Sequence, residues 1–374
     1  MRLIISSYVL VISVSSLLTA VALEPLKDSS KDFIGNQVNR LVSKGDKNKD
    51  ETLQKSEDAK TWKKYSKFDL DKSSSLTKEE LTKAFNAQQI DSPGEKLLNV
   101  LYKKTARGGL YLDFYFPDQD TNKEKPVVVF THGGGWSAGN KVKAGQGDFK
   151  KVHKALLSKG YCVMSVGYRL VNKTKDTAMR DCVIDCKDAV RFLSAHKEEL
   201  GIDPNKIYLF GDSAGGHLAQ MLLFSPPNSF VGDPELAKFS FKPVAGVSWY
   251  GPCDFQDIQL FNHDDSENFN DRFGPRIMGG GLDPADKEML YKEMSPVSYL
   301  SKDSAPLLMI QGDKDTTIPV KQAYRMQEAI KTIPAPVDFI FVKNAGHNWR
   351  SVDAPIEPTV GKIVEETVQF LLEH

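Results

Sequence analysis

An α/β fold, with a mostly parallel sheet covered by helices on both faces and a small helical module in front of it, is what this 374-residue sequence predicts. Two observations lead to it. Beyond residue 92, apolar runs of strand composition alternate with amphipathic stretches, the rhythm that parallel strands joined by crossover helices require. Before residue 92, short helical patches alternate with Asp-rich loops and no stretch makes a good strand. The turn-rich joint Asp91-Ser92-Pro93-Gly94 separates the two textures. The sequence therefore divides into residues 1–22, 23–91 and 92–374.

The first segment opens with Arg2, continues with the serine-diluted apolar stretch Leu3 to Leu18, and closes on Ala20-Val21-Ala22. Basic start, apolar middle and small-x-small end are the grammar of a signal peptide, so export to the periplasm or the medium is expected. A membrane anchor is the alternative, but the stretch is short for a span and has no basic stop behind it. No other segment approaches the ~20 apolar residues of a spanning helix. In residues 23–91, Phe33, Val38, Leu41 and Val42 fall on helical spacing, as do Trp62, Tyr65 and Phe68. In residues 92–374 the strand candidates are Leu110 to Phe116, Val127 to Thr131, Val163 to Tyr168, Ile207 to Phe210, Ala245 to Tyr250, Leu307 to Gln311 and Val337 to Val342. Phe149 to Ser158, Asp185 to Leu200 and Val320 to Ile330 are the helices expected between them.

Lys+Arg and Asp+Glu both number 49, which argues against a nucleic-acid partner and against a solvating acidic chain. The 40% hydrophobic and 10% aromatic content is ample for a large core. Cys162, Cys182, Cys186 and Cys253 show no zinc spacing and read as structural thiols, with one disulfide left open.

Two twelve-residue segments, Asp46 to Glu57 and Asp69 to Glu80, share a pattern: oxygen-bearing side chains at positions 1, 3, 5 and 9, an apolar residue at 8 and Glu at 12. Calcium takes six to eight oxygen ligands, and this spacing wraps a loop around one ion. The ligand candidates are Asp46, Asn48, Asp50, Thr52 and Glu57 in the first loop and Asp69, Asp71, Ser73, Ser75 and Glu80 in the second. Leu53 and Leu76, at position 8, are expected to pair the loops. The two together resemble an EF-hand pair, with the eleven-residue separation Asp58 to Phe68 closer to dockerin-style or exported bacterial examples than to sensor pairs. Position 6, usually Gly, is Glu51 or Ser74, and a side chain resists the positive φ needed there. Weak binding, about 10⁻⁴ to 10⁻³ M, is the expectation. A pair of solvated Asp-rich turns is the alternative.

The strongest motif is Gly211-Asp212-Ser213-Ala214-Gly215-Gly216-His217, after the strand candidate Ile207 to Phe210 and before a helical Leu218-Ala-Gln-Met-Leu-Leu. Gly-x-Ser-x-Gly in a strand–turn–helix context is a nucleophile elbow, with Ser213 at its tip. The run His132-Gly133-Gly134-Gly135-Trp136 follows another strand, where bare glycines leave N–H groups free for an oxyanion. Gly134, Gly135 and Ala214 are the expected donors. A phosphate-cradling loop is the competing reading, but no Lys-Ser/Thr or Gly-x-Gly-x-x-Gly follows. A serine nucleophile needs a base and an acid that orients it, here in the order Ser, acid, His. Asp315, with Asp313 as its near neighbour, and His347 each follow a strand at the right place.

These motifs, with Ser165-Val-Gly-Tyr168-Arg169-Leu170, Asp185 to Phe192 and Ser295-Pro296-Val297-Ser298-Tyr299, make residues 98–374 similar to α/β-hydrolases of the hormone-sensitive-lipase and carboxylesterase type. The resemblance is strongest to the bifunctional feruloyl and acetyl-xylan esterase-like group. It implies the α/β-hydrolase fold and a Ser213, Asp315, His347 triad acting through an acyl-enzyme without a catalytic metal or organic cofactor. It implies short acyl, acetyl or feruloyl esters as substrates, with acylated polysaccharide as their carrier. Asp188 and Arg191 are expected to hold contacts rather than perform chemistry. Val171 to Arg180 lacks the family's usual proline-containing run, and residues 252–296, with Phe255, Phe261, Phe269 and Phe273, are expected to form a lid, a substrate wall or a plain cover. Rival readings are a serine peptidase of the same fold and a non-catalytic, calcium-dependent binding protein.

Overall fold

A computed structural model describes residue 26 and residues 33–118, 124–172, 174, 176–279 and 283–374. The signal-peptide reading of residues 1–22 lies outside them, and among the described residues no helix is long and apolar enough to cross a membrane.

The amino-terminal module is α1 (Phe33–Gly45), β1 (Leu53–Gln54), α2 (Ala59–Tyr65), β2 (Ser75–Leu76) and α3 (Lys78–Ala87). Leu53 and Leu76 pair across the antiparallel β1–β2 bridge. Both side chains are buried with Val38, Val42, Tyr65, Leu81 and Ala84 in a small core of their own. Residues 88–91 then lie on the second domain: the Tyr115 hydroxyl donates to the Gln89 side-chain oxygen at 2.6 Å, and Ile90 is fully buried in one of its two main cores.

The large domain follows as β3 (Lys96–Thr105), β4 (Gly108–Tyr115), β5 (Lys125–Thr131), α4 (Gly147–Ser158), β6 (Cys162–Val166), α5 (Met179–Ala195), α6 (Lys197–Leu200), β7 (Ile202–Asp212), α7 (Ala214–Phe224) and β8 (Pro243–Trp249). After an irregular stretch with α8 (Gly274–Met278) and α9 (Lys287–Glu293) come β9 (Leu307–Gly312), α10 (Lys321–Thr332), β10 (Val337–Val342) and α11 (Val360–Glu373). The eight strands run in the order β10-β9-β8-β7-β5-β6-β4-β3, parallel from β10 to β6 and antiparallel at β4 and β3. Alternate residues of one strand enter opposite cores. Val127 and Val129 join the core under α5, α7 and α10, while Val128 and Phe130 join the one under α4 and α11.

Three expectations need correction. β3 carries no clean alternation, because two register shifts against β4 break its period, and the sequence reading missed it. The carboxy-terminal α11 was also missed, although Ile363, Thr367, Phe370 and Leu371 bury one face of it. The helix expected over Asp185 to Leu200 starts six residues earlier at Met179 and breaks after Ala195. Its N-cap, Ala178, has no side-chain oxygen to announce it; the Asp181 side chain caps it by accepting the Ala178 N–H at 2.8 Å. The four cysteines, read as structural thiols, are all free and buried with no disulfide among them, and burial pushes the Cys162 thiol up to about 12.

Candidate active site

β5 lies between β6 and β7, with the chain leaving it in one direction and returning on the other side. A crevice opens at the carboxyl ends of strands at such a switch point. The loop after β5 and the elbow after β7 meet there.

Ser213 sits at the elbow with φ 52° and ψ −122°, a strained conformation that turns its side chain away from the sheet. The turn needs its glycines. A Cβ on Gly211 would fall 2.2 Å from the Gly215 carbonyl oxygen, and one on Gly215 would fall 1.9 Å from that of Thr131. The structure brings the three expected catalytic residues together. His347 Nε2 lies 3.1 Å from Ser213 Oγ, and its Nδ1 lies 2.7 Å from Asp315 Oδ2. Asp315 Oδ1 accepts the N–H groups of Thr317 and Ile318 at 2.7 and 2.9 Å, which aims the carboxylate. The Tyr250 ring packs 4.7 Å from the imidazole. Asp313, the near neighbour, instead gives its backbone N–H to Val342, and the hydrogen bond and ion pair of His347 Nδ1 go to Asp315.

Gly134 and Gly135 line the same cavity as Ser213 and His347, and both take positive φ, 135° and 58°. A Cβ on Gly134 would meet the Ala138 carbonyl oxygen at 2.1 Å. Ala214 follows Ser213 as the first residue of α7, so its N–H is one that an α-helix leaves without an intrahelical partner.

Three positioning groups escaped the sequence reading. Asp212, fully buried, accepts the Gly133 N–H at 2.8 Å on one oxygen and Lys143 Nζ at 2.6 Å on the other, tying the glycine loop to the elbow. His217 accepts the Trp136 indole N–H at 3.2 Å and donates from Nε2 to the Met294 carbonyl at 2.8 Å. Burial pushes its pKa down to about 4, which keeps the neutral tautomer this double role requires. Asp212 and His217 were legible as part of the elbow motif, but nothing in the sequence shows what they touch.

The cavity has a volume of about 390 Å³ and is walled by Trp136, Phe273, Ile318 and two arginines, Arg272 and Arg276. Phe255, Phe261 and Phe273 are buried and pack together and, at Phe255 and Phe273, against Trp136. Phe273 alone of them also faces the cavity. Asp188 and Arg191 pair at 2.8 Å, and Arg191 also donates to the carbonyls of Pro227 and Ser229 at 2.8 Å, holding α5 to a loop.

In the amino-terminal module, the position-6 residues Glu51 and Ser74 do take positive φ, 63° and 65°. The two loops differ in what they assemble. Oxygens of Asp69, Asp71 and Glu80 lie within 4.8 Å of one another, a hard-oxygen set that suits calcium. No comparable acidic group forms among the described residues of the first loop. There Glu57 accepts backbone N–H groups of Lys47, Asn48 and Gln54, and Asp50 accepts from Asn48, Thr52 and Gln54 side chains. Asp46 accepts the N–H groups of Lys49, Asp50 and Glu51. Ser73 and Ser75 of the second loop contact each other at 3.0 Å.

A family model described as BD-FAE matches residues 112–330, more than half of the chain and the span from β4 through most of α10. A probable carboxylic ester hydrolase of Mycobacterium tuberculosis, LipM, is 30% identical over 58% of this chain and 47% of its own. Esterase LipC of the same organism is 26% identical, over 65% of this chain and 57% of its own. The chain thus spans about half the length of the curated relatives it matches. Esterase 2 of Thermogutta terrifontis, phosphonylated by sarin, superposes with a TM-score of 0.61 at 25% identity, covering 74% of this chain and 94% of that one. The same esterase with butyrate bound superposes at 0.60 and 25%, covering 74% and 93%.

Proposed function

The chain belongs to the BD-FAE family, and from that premise we propose that it is a serine carboxylesterase acting on short acyl esters, with an amino-terminal calcium-binding module. The observation that carries the proposal is the continuous relay from Ser213 Oγ through His347 to Asp315, opening into the cavity that Gly134 and Gly135 line.

His347 Nε2 takes the proton of Ser213 Oγ as the oxygen attacks the ester carbonyl, while Asp315 holds the other ring nitrogen and balances the imidazolium. The carbonyl oxygen becomes an oxyanion and receives N–H groups from Gly134, Gly135 and Ala214, each worth about 2.7–4 kcal/mol in comparable sites. His347 then protonates the departing alcohol, and water activated by the same nitrogen releases the acid from Ser213.

A cavity of about 390 Å³ walled by Phe273 and Ile318 suits a small acyl group, and the related esterase holds butyrate. The resemblance to feruloyl and acetyl-xylan esterases favours acetyl or feruloyl groups on polysaccharide as the natural esters. The residue pattern at 1–22 favours export. Calcium is proposed at the second loop, where Asp69, Asp71 and Glu80 converge, and more weakly at the first.

A p-nitrophenyl ester panel of increasing acyl length, with acetylated and feruloylated sugars and an aminoacyl-p-nitroanilide, tests the reading. Rates that fall with acyl length, vanish in Ser213→Ala and exceed those on the anilide are expected. Hydrolysis that survives Ser213→Ala, or a preference for the anilide, overturns it.

A further inference from the structure

The cavity at Ser213 carries two positive charges that the acyl-transfer steps above do not use. Arg272 and Arg276 stand on one wall, four residues apart across the start of α8. Arg272 Nη2 donates to the carbonyls of Thr316, at 3.2 Å, and Thr317, and Arg276 Nη1 donates to the Arg272 carbonyl at 2.9 Å. Both guanidiniums lie over the Phe273 ring, 5.0 and 5.2 Å from its centre. Among the described residues neither forms an ion pair, whereas their neighbours Lys143 and Arg107 pair with Asp212 and Asp176.

Such an arrangement costs stability. Burial lowers both guanidinium pKa values, opposed at Arg272 by Asp315 and reinforced at Arg276 by the charge of Arg272. An anion placed between the two would offset the repulsion and fill guanidinium N–H positions that backbone carbonyls leave open.

The place is also informative. A second cavity, of about 640 Å³ and lined by Arg107, Leu170 and Asn172, shares Arg272 and Arg276 with the first. The arginines therefore border both cavities, where a substrate extending from Ser213 into the second would meet them. Arg276 also hangs over the oxyanion loop, with Nη2 3.8 Å from where a Cβ of Gly135 would stand.

We infer that Arg272 and Arg276 recognise a carboxylate or sulfate carried by the ester close to its scissile bond, which makes acidic esters, rather than neutral ones, the preferred substrates. This rests on Ser213 being the nucleophile of an ester hydrolase. Planar, multidentate guanidinium donors suit either oxyanion, and the pair selects charge without taking part in bond breaking.

Matched probes test it on the full chain. With charge on the alcohol side these are 4-acetoxybenzoate and 4-acetoxybenzenesulfonate against neutral methyl 4-acetoxybenzoate. With charge on the acyl side, the 4-nitrophenyl monoester of adipic acid is set against 4-nitrophenyl hexanoate. Each rate is divided by the hydroxide rate of the same ester. The expected result is an anionic-to-neutral kcat/KM ratio of about tenfold or more in at least one set. The ratio should shrink with added salt, collapse toward one in Arg276→Gln and recover in part in Arg276→Lys. The set that responds shows which side of the ester bears the anion, and the sulfonate arm separates sulfate from carboxylate. A wild-type ratio at or below one in both sets, or a ratio unchanged in Arg276→Gln, overturns the inference while leaving the esterase reading intact. If Arg276→Gln fails to fold, the wild-type ratio and its salt dependence decide. Failure of Ser213-dependent turnover on every probe removes the esterase reading itself, and the inference with it.

Discussion

The two oxygens of the Asp315 carboxylate have separate tasks: Oδ2 receives His347 Nδ1, and Oδ1 is pinned by the N–H groups of Thr317 and Ile318. An amide in its place keeps the shape but can turn an N–H toward the ring and favour the wrong imidazole tautomer. Asp315→Asn is therefore expected to lower kcat on a short p-nitrophenyl ester by about 10⁴-fold with little change in folding. Asp313→Asn should keep kcat at the wild-type order of magnitude, because that side chain is not on His347. Equal losses in the two variants would sink the assignment. At this scale the sequence was informative where a residue type and its place after a strand carry the meaning, as at Ser213 and His347. It was silent on Arg272, Arg276 and Lys143, surrounded by irregular chain whose path no local pattern encodes.

Elements turn these residues into a site. The elbow works because β5, β7 and α7 approach closely enough that Gly211 and Gly215 admit no side chain, a constraint visible as small residues in the motif. The amino-terminal module shows the opposite case, since its two loops are alike in sequence and differ in space. Glu80 caps α3 in a box with Thr77, accepting that residue's N–H at 3.0 Å, while its other oxygen accepts Leu70 N–H at 2.7 Å beside Asp69 and Asp71. Gln preserves a capping box but removes charge from the proposed calcium site. Calcium should raise the melting temperature of the wild type, and Glu80→Gln should abolish most of that rise while leaving the calcium-free melting temperature near wild type. An undiminished calcium response in the variant would place the ion elsewhere.

Across the whole molecule, three histidines that serve no catalytic step are buried neutral. His132 stacks 4.3 Å from Tyr168, His153 contacts the Ala144 carbonyl at 2.8 Å, and His217 bridges Trp136 and Met294. Burial pushes each pKa down to about 4, against 6.5 for an unperturbed imidazole. Between those values the unfolded chain binds protons that the folded chain refuses, so stability is full above pH 6.5 and falls as pH drops toward 4. Urea unfolding midpoints should fall across that window, and His153→Phe should flatten the fall while costing some stability at neutral pH. A pH dependence identical to wild type would contradict the buried-neutral state of His153.

The sequence by itself determined the α/β alternation, the elbow, the glycine loop, the order of the acid and base, and the repeated acidic loops. Each is a local signal, written in periodicity or in residues that a particular backbone conformation demands. Only the tertiary structure decided that β3 and β4 close the sheet antiparallel, that the Phe cluster of 252–296 is mostly core, and that two arginines 59 or more residues beyond Ser213 return to its cavity. These depend on which surfaces are left to bury once the strands have paired, and that is settled by packing between distant segments rather than by any stretch of sequence.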